Sequence, residues 1–223
     1  MPADAIHSAI RRLAFGGSLS AQEATDAFGQ IMAGEASPAH MAGLLMGLRV
    51  KGVTPDEVAG AARALRAAMV RIEADSSADL VDTCGTGGGA VTTFNISTAA
   101  ALLAAGAGVR IAKHGNRSFT SQCGSADVLE ALGVPLDATP ETLVQVLRIA
   151  GAVFMFAPAM HPAMRHVGPV RRELGVPTVM NIVGPLANPA GAGRQVVGVA
   201  DRQRLPLLAG ALAALGSAHA LVV

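Results

Sequence analysis

The chain has no Trp and no Tyr, and only six Phe in 223 residues. Aromatic faces on which single-stranded bases could stack are therefore scarce. Its two cysteines, Cys84 and Cys123, are too few for a disulfide framework and read as reduced thiols. Charged residues make up 15% and the net charge is +1, so no global basic field draws in nucleic acid. No signal peptide or membrane-spanning run is visible, because the Ala-rich stretches are broken by Gly, Arg or polar residues. These absences lead to the expectation of a cytoplasmic protein with no nucleic acid and no membrane among its partners. What is present is a 51% hydrophobic content, enough for a full core, and 26 glycines. The length suits one large domain or two small ones.

The glycines concentrate where the sequence is most informative, between Leu80 and Gly133. That stretch reads as strand, glycine loop, helix, strand, polar loop, helix. The apolar run Leu80–Thr83 stops at Gly85, Gly87, Gly88 and Gly89, whose backbone N–H groups can point at an anion with no Cβ in the way. A helix follows from Asn95 to Ala105, with Asn95, Ser97 and Thr98 in its first turn. A glycine loop running into a helix N-terminus is a phosphate site by dipole and unpaired N–H groups. A second strand, Val109–Ala112, leads to Lys113-His114-Gly115-Asn116-Arg117-Ser118, with further hydroxyls at Thr120 and Ser121. In an open α/β sheet, ligands lie outside the carboxyl ends of the strands. Both loops are at such ends, so one multiply phosphorylated ligand could meet both.

Other glycine-loop ligands fit less well. Gly85 to Ala90 matches G-x-G-x-x-A, but a dinucleotide site needs an acid at the next strand end, where this chain has Lys113 and His114. No G-K-[ST] closes the run, so it is not a P-loop. The bland alternative is a tight turn beside a solvated basic loop. Two polar loops at matching strand ends favour a site instead.

Residues before this stretch read as helical. Ala3–Phe15 is a helix stopped by Gly16-Gly17. Ser20 and Glu23 form a capping box, Ser37-Pro38 opens a third helix, and Thr54-Pro55-Asp56-Glu57 opens a fourth. Helix three is apolar on nearly every side from Met41 to Leu48. Its Ala42, Gly43 and Gly47 would let another element approach, either the α/β domain, a second subunit or an ordinary core neighbour. Residues 74–78 form a polar hinge.

Beyond the central stretch, Thr139-Pro140 caps a helix to Ala150, and Ala152–Phe156 is a buried strand ending in a loop at Ala157-Pro158. A helix is expected from His161 to about Leu174, bent at Pro169. His161, Met164, Gly168 and Arg171 would share one face of it, which suits a small aromatic acid or, more plainly, solvent. A loop at Gly184–Pro189, a strand at Gln195–Ala200, a helix at Arg202–Leu215 and a strand at His219–Val223 complete the reading. The expected fold is α/β: an all-helical domain at 1–73, joined by 161–190, plus an α/β domain at 74–160 and 191–223. The latter has a central, largely parallel sheet flanked by helices.

Gly85-Thr86-Gly87-Gly88, Asn95-Ile96-Ser97-Thr98, Lys113-His114-Gly115-Asn116-Arg117 and Gly124–Glu130 resemble, in order and spacing, the signature blocks of the anthranilate phosphoribosyltransferase family. The resemblance runs through to Val223. It implies transfer of the phosphoribosyl group of 5-phosphoribosyl 1-diphosphate (PRPP) to the amine of anthranilate, with loss of pyrophosphate, in tryptophan biosynthesis. It implies PRPP contacts at Gly85, Gly88, Gly89, Thr93, Asn95, Ile96, Ser97, Thr98, Lys113, His114, Gly115, Asn116, Arg117, Ser118, Ser121 and Ser125. Anthranilate contacts are implied at Gly85, Asn116, Pro158, His161 and Arg171. Mg2+ is implied as cofactor, with Ser97 a ligand and an Asp-Glu pair expected beyond Val223. A homodimer through the helical domain is also implied.

The transition state would resemble an oxocarbenium ion, so catalysis would be electrostatic and positional. Lys113 and His114 are catalytic candidates, His114 as a weak general base. Two departures stand out: Gly89 replaces a usual Asp, and the chain stops at about two-thirds of the family's length. Two rivals stay open. A pyrimidine nucleoside phosphorylase-like enzyme has a different glycine block. A non-enzymatic nucleic-acid-binding relative is opposed by the near-zero net charge.

Overall fold

A computed structural model describes residues 4–87, 94–118 and 123–223. In chain order its elements are α1 (Ala5–Ala14), α2 (Ala21–Ala33), α3 (Pro38–Lys51), α4 (Pro55–Ala67), β1 (Val81–Gly85), α5 (Ile96–Gly106), β2 (Ile111–Gly115) and α6 (Ser125–Ala131). There follow α7 (Pro140–Ala150), β3 (Ala152–Phe156), α8 (Ala157–Met160), α9 (Met164–Leu174), β4 (Arg194–Gly198), α10 (Leu205–Ala214) and β5 (His219–Val222). The chain divides into two compact units. One is helical and comprises Met1–Met69, His161–Ala187 and Pro206–Gly216. The other is α/β and comprises Val70–Met160, Asn188–Leu205 and Ser217–Val223.

The expected division gave 191–223 whole to the α/β part. The structure instead groups Pro206–Gly216 with the helices. Gly210 is close enough to Pro55 that a Cβ there would lie 3.0 Å from the proline ring, and Arg63 donates to the Ala214 carbonyl at 2.6 Å.

Helix starts in the first unit are set by caps. Ser20 Oγ accepts from Glu23 N–H and the Glu23 carboxylate accepts from Ser20 N–H. Thr54 and Glu57 repeat the arrangement. Glu57 does more than cap. It is fully buried, and its carboxylate also accepts from Leu19 N–H at 2.8 Å and from the Lys51 ammonium at 3.0 Å. A buried carboxylate is tolerable only with such partners. It thereby ties the start of α4 to the end of α3 and to the link between α1 and α2.

The small-residue face of α3 is covered from within the unit. A Cβ at Gly43 would lie 3.4 Å from Ile10, and one at Gly47 would lie 3.2 Å from Leu13, both on α1. α2 and α4 are in still closer contact at Gly60, where a Cβ would meet Ala21 O at 2.5 Å and Ala24 Cβ at 2.6 Å.

The α/β unit is a five-stranded sheet of order β3-β2-β1-β4-β5, every pairing parallel. From β1 the chain steps outward through β2 to β3, then returns to the other side of β1 as β4. The order reverses between β1 and β4, and such a reversal opens a crevice outside the strand ends. Leu80, Ala112, Leu143, Leu147, Val153, Met155 and Met160 form much of the core.

Three shifts in the expected bounds bear on the site. β2 runs to Gly115, so Lys113 and His114 are strand residues and not loop residues. A short helix, α8, replaces the loop after β3. α9 starts at Met164, because His161-Pro162-Ala163 makes a turn closed by Met164 N–H on the His161 carbonyl at 3.0 Å.

Gly60→Ala should destabilise the helical unit by about 1–3 kcal/mol, since the added methyl meets main chain that cannot swing aside. Urea unfolding followed by circular dichroism measures this. An unchanged midpoint would mean that α2 and α4 can separate freely.

Candidate functional site

At the carboxyl end of β1 the chain is laced to the first turn of α5. Thr83 Oγ1 donates to the Ser97 carbonyl at 2.7 Å. The Lys113 ammonium, on the neighbouring strand, donates to the Thr83 carbonyl and to Ser97 Oγ, the latter at 3.3 Å. Lys113 is only 3% exposed. Asn95 precedes α5 without a side-chain cap; Ile96 N–H donates to the Phe94 carbonyl at 2.7 Å and Thr98 N–H to the Asn95 carbonyl at 3.0 Å. On the other flank of β1, Thr86 N–H donates to the Gly198 carbonyl at 2.9 Å, and a Cβ on Gly85 would sit 3.2 Å from the same oxygen. Gly88, Gly89, Thr93 and Ser121 lie outside the described residues.

The second loop is held by α6. Asp127 accepts from Gly124 N–H at 2.7 Å and from Ser118 N–H at 3.2 Å. Its other oxygen and Glu130 take the Arg117 guanidinium, at 2.9 Å and at 2.7 and 2.8 Å. Arg117 also lies 5.8 Å over the Phe156 ring. Expected as a phosphate contact, it has its guanidinium committed to these acids, which hold it even more firmly protonated than an ordinary arginine. Asn116 Oδ1 accepts from Arg117 N–H at 2.7 Å, and Ser125 Oγ donates to the Asn116 carbonyl at 3.3 Å. There is no room for side chains here. A Cβ at Gly115 would lie 2.1 Å from Ser125 Oγ, and one at Gly124 would lie 2.4 Å from Ser118 N. The two loops touch where Asn95 Nδ2 donates to Cys123 Sγ at 3.4 Å.

Beneath both loops lies a buried polar set that sequence reasoning missed. Asp82, 0% exposed, accepts from His114 N–H at 3.1 Å and from Asn188 Nδ2 at 2.8 Å. Asn188 Nδ2 donates also to the Ala112 carbonyl at 2.8 Å, and Asn188 Oδ1 accepts from Ala190 N–H at 2.9 Å. Burial pushes the Asp82 carboxyl up to about 6, against the pull of Asn188 and Lys113. The same burial pushes the Lys113 ammonium below the usual lysine range, with Asp82 and Cys84 opposing it, and pushes the Cys84 thiol up. A single Asp inside an apolar strand and an Asn in a Gly-Pro-rich loop 106 positions later carry no local signal of their pairing.

The aromatic-acid residues are divided between the units. Gly85, Asn116 and Pro158 belong to the α/β unit, and His161 and Arg171 to the helical one. His161 precedes α9, so the expected four-residue helix face reduces to Met164, Gly168 and Arg171, each half-buried, while Val167 and Val170 face the core. Pro169 is inside this helix. Burial drives the His161 imidazole down to about 4, only partly offset by the Ala187 main chain, so the ring is neutral at pH 7. Burial also draws Arg171 down from the usual arginine range.

Magnesium needs several oxygen ligands, usually including carboxylates. Among the described residues no three of His, Cys, Asp and Glu cluster so as to hold a metal ion. The Ser97 hydroxyl sits beside the Lys113 ammonium and the Asp82 carboxylate is consumed by its amide donors. These residues do not by themselves make a magnesium site.

A five-stranded parallel sheet with a buried lysine beside the end of β1, together with a separate helical unit, defines an α/β protein with an added helical domain. The profile of the glycosyl transferase family α/β domain matches residues 77–223, and that of the family's helical bundle domain matches residues 7–69. The chain belongs to the glycosyl transferase family.

It is 53% identical over 215 residues to an anthranilate phosphoribosyltransferase of Methylobacillus flagellatus, covering 96% of this chain and 63% of that protein. It is 54% identical over 219 residues to another from Thioalkalivibrio sulfidiphilus, covering 98% and 64%. The crystal structure of anthranilate phosphoribosyltransferase from Thermus thermophilus superposes with a TM-score of 0.90 at 48% identity, covering 96% of this chain and 64% of that one. The Saccharomyces cerevisiae anthranilate phosphoribosyltransferase in complex with PRPP and Mg gives 0.88 at 28% identity, covering 97% and 64%. The chain thus spans less than two-thirds of the length of these relatives.

The raised Asp82 carboxyl fixes a sign for stability. The fold favours the protonated form, so this contribution is complete below about pH 4 and lost as pH rises through about 6. The gap from the ordinary value of 3.8 corresponds to about 3 kcal/mol. Relative to Asp82→Asn, the unmodified chain should lose stability to urea between those pH values. Parallel profiles for the two proteins would show that Asp82 does not titrate there.

Proposed function

We propose that this chain takes part in transferring the 5-phosphoribosyl group of PRPP to the amine of anthranilate, releasing pyrophosphate, a reaction of tryptophan biosynthesis. The observation that carries the reading is the buried Lys113 ammonium bound to Ser97 at the start of α5. It is supported by the similarity to anthranilate phosphoribosyltransferases over 96% of the chain.

Lys113 and the first-turn amides of α5 would receive the charge that develops on the departing diphosphate. Because burial already disfavours its charge, Lys113 gains from a neighbouring anion. Gly85, Asn95, Ile96, Ser97, Thr98, His114, Gly115, Asn116, Ser118 and Ser125 would line the PRPP side, with Gly88, Gly89, Thr93 and Ser121 assigned by resemblance alone. Arg117 would shape that loop through Asp127 and Glu130 instead of touching phosphate.

Gly85, Asn116, Pro158, His161 and Arg171 would receive anthranilate. A neutral His161 suits an aromatic neighbour, and Arg171 suits its carboxylate. No side chain is needed as nucleophile, and no general base is assigned. Magnesium would accompany the diphosphate and would supply charge neutralisation to the leaving group; Ser97 is assigned to it by resemblance alone.

A homodimer through the helical unit is part of the proposal, supported by the exposed Phe15 and Val50 at the ends of α1 and α3. A cytoplasmic location is also part of it. No helix among the described residues is long and apolar enough to cross a membrane, and neither cysteine is in a disulfide.

Calorimetric titration separates the roles. Lys113→Ala should weaken PRPP binding in the presence of magnesium by about tenfold or more. Arg171→Ala should leave that affinity within about twofold while weakening anthranilate by roughly tenfold to a hundredfold, the worth of a charged hydrogen bond. Unchanged PRPP affinity in Lys113→Ala, with the melting temperature preserved, would remove the lysine from the site. Unchanged anthranilate affinity in Arg171→Ala would leave the carboxylate without this partner.

A further inference from the structure

Among the described residues, the ladder between β1 and β2 registers only Val81 with Ile111. On its other side each strand stays paired over five residues, β1 with β4 and β2 with β3. Neighbouring parallel strands ordinarily satisfy each other with evenly spaced main-chain bonds. Here side chains take that place. Asp82 accepts from His114 N–H, Asn188 donates to the Ala112 carbonyl, and Lys113 donates to the Thr83 carbonyl. The strands are opened toward their carboxyl ends, where Lys113 crosses to Ser97.

We propose that Asn188, acting through Asp82, is a positioning residue that wedges β1 from β2 and thereby directs Lys113 toward Ser97. This rests on the reading of Lys113 as a diphosphate contact. The side chain suits the task. One amide nitrogen serves two acceptors, Asp82 Oδ2 and Ala112 O, each at 2.8 Å, and the amide oxygen takes Ala190 N–H. At 3% exposure, water cannot replace these bonds, so losing them leaves buried groups unsatisfied or closes the gap. An aspartate at this position would fit in size but, when ionised, could not donate. It would also face Asp82, and two adjacent carboxylates hold a shared proton to higher pH. Among the described residues, the titratable groups that act on Asp82 are Lys113 and Cys84.

The test has a ligand-free arm and a binding arm. By amide hydrogen exchange, Asn188→Ala should speed exchange of His114 N–H by about tenfold or more while that of Val197, in β4, stays within about twofold. In the second arm, inorganic pyrophosphate with magnesium is titrated into the unmodified chain and into Asn188→Asp at the same pH, and the ratio of affinities is read. At about pH 8.5 the variant should bind about tenfold more weakly. Near pH 6.5, where the shared proton restores a donor, the ratio should fall to about threefold or less.

A role in stability alone would give a ratio that does not change with pH, and that result overturns the proposal. So does an unchanged His114 exchange rate in Asn188→Ala. Should Asn188→Ala not fold, the exchange measurement is made on Asn188→Asp at the two pH values, and the His114 rate relative to that of Val197 should exceed the same ratio in the unmodified chain by more at the higher pH. If the unmodified chain binds no pyrophosphate, the transfer reading fails, and the His114 amide still decides the wedge.

Discussion

The α/β unit depends on keeping two opposite charges out of water at the mouth of its sheet. Asp82 and Lys113 are each almost wholly buried, and burial opposes the charged form of both. Each eases the other's cost, and the remainder is met by fixed donors and acceptors: Asn188, His114 N–H, and the Thr83 carbonyl. These side chains replace main-chain bonds between β1 and β2. A seam stitched by charges and amides is costlier than a regular ladder, and it places a lysine where an apolar sheet could not hold one.

Close approach is the second constraint. Gly115 lies against the Ser125 and Phe154 side chains, and Gly124 lies against the Asn116–Ser118 main chain so tightly that a side chain there would displace backbone. That contact lets Asp127 cap the start of α6 and reach the loop before it. The acids of α6 then draw in Arg117. A loop that looks in sequence like a row of cations has its arginine paired with protein carboxylates at the surface.

The residues assigned to the two substrates are divided unequally between the units. The described residues proposed for PRPP belong to the α/β unit, as do Gly85, Asn116 and Pro158, while His161 and Arg171 belong to the helical unit. His161 and Arg171 sit in a segment inserted between β3 and β4, which belongs to the helical unit. The chain returns at Asn188, the first residue of the next α/β segment, and that residue is the one that secures Asp82.

Much of this was legible in the sequence because it is local. Capping boxes at Ser20 and Thr54, the Ser37 and Thr139 caps, and the glycine loop before α5 are short-range patterns with short-range causes. The motif blocks pointed to the family for the same reason. What tertiary structure decided is everything that depends on partners far along the chain. Lys113 and His114 read as loop residues because they are polar, yet the sheet takes them as strand, since Asp82 and the Thr83 carbonyl supply the polar groups they need. Arg117 read as a ligand cation, and nothing local in the sequence showed that Asp127 and Glu130 would pair with it. His161 fell out of the helix because its proline neighbour sits in a turn. Asn188 had no signal at all, because an amide in a loop acquires meaning only when folding brings a buried carboxylate to it from 106 residues away.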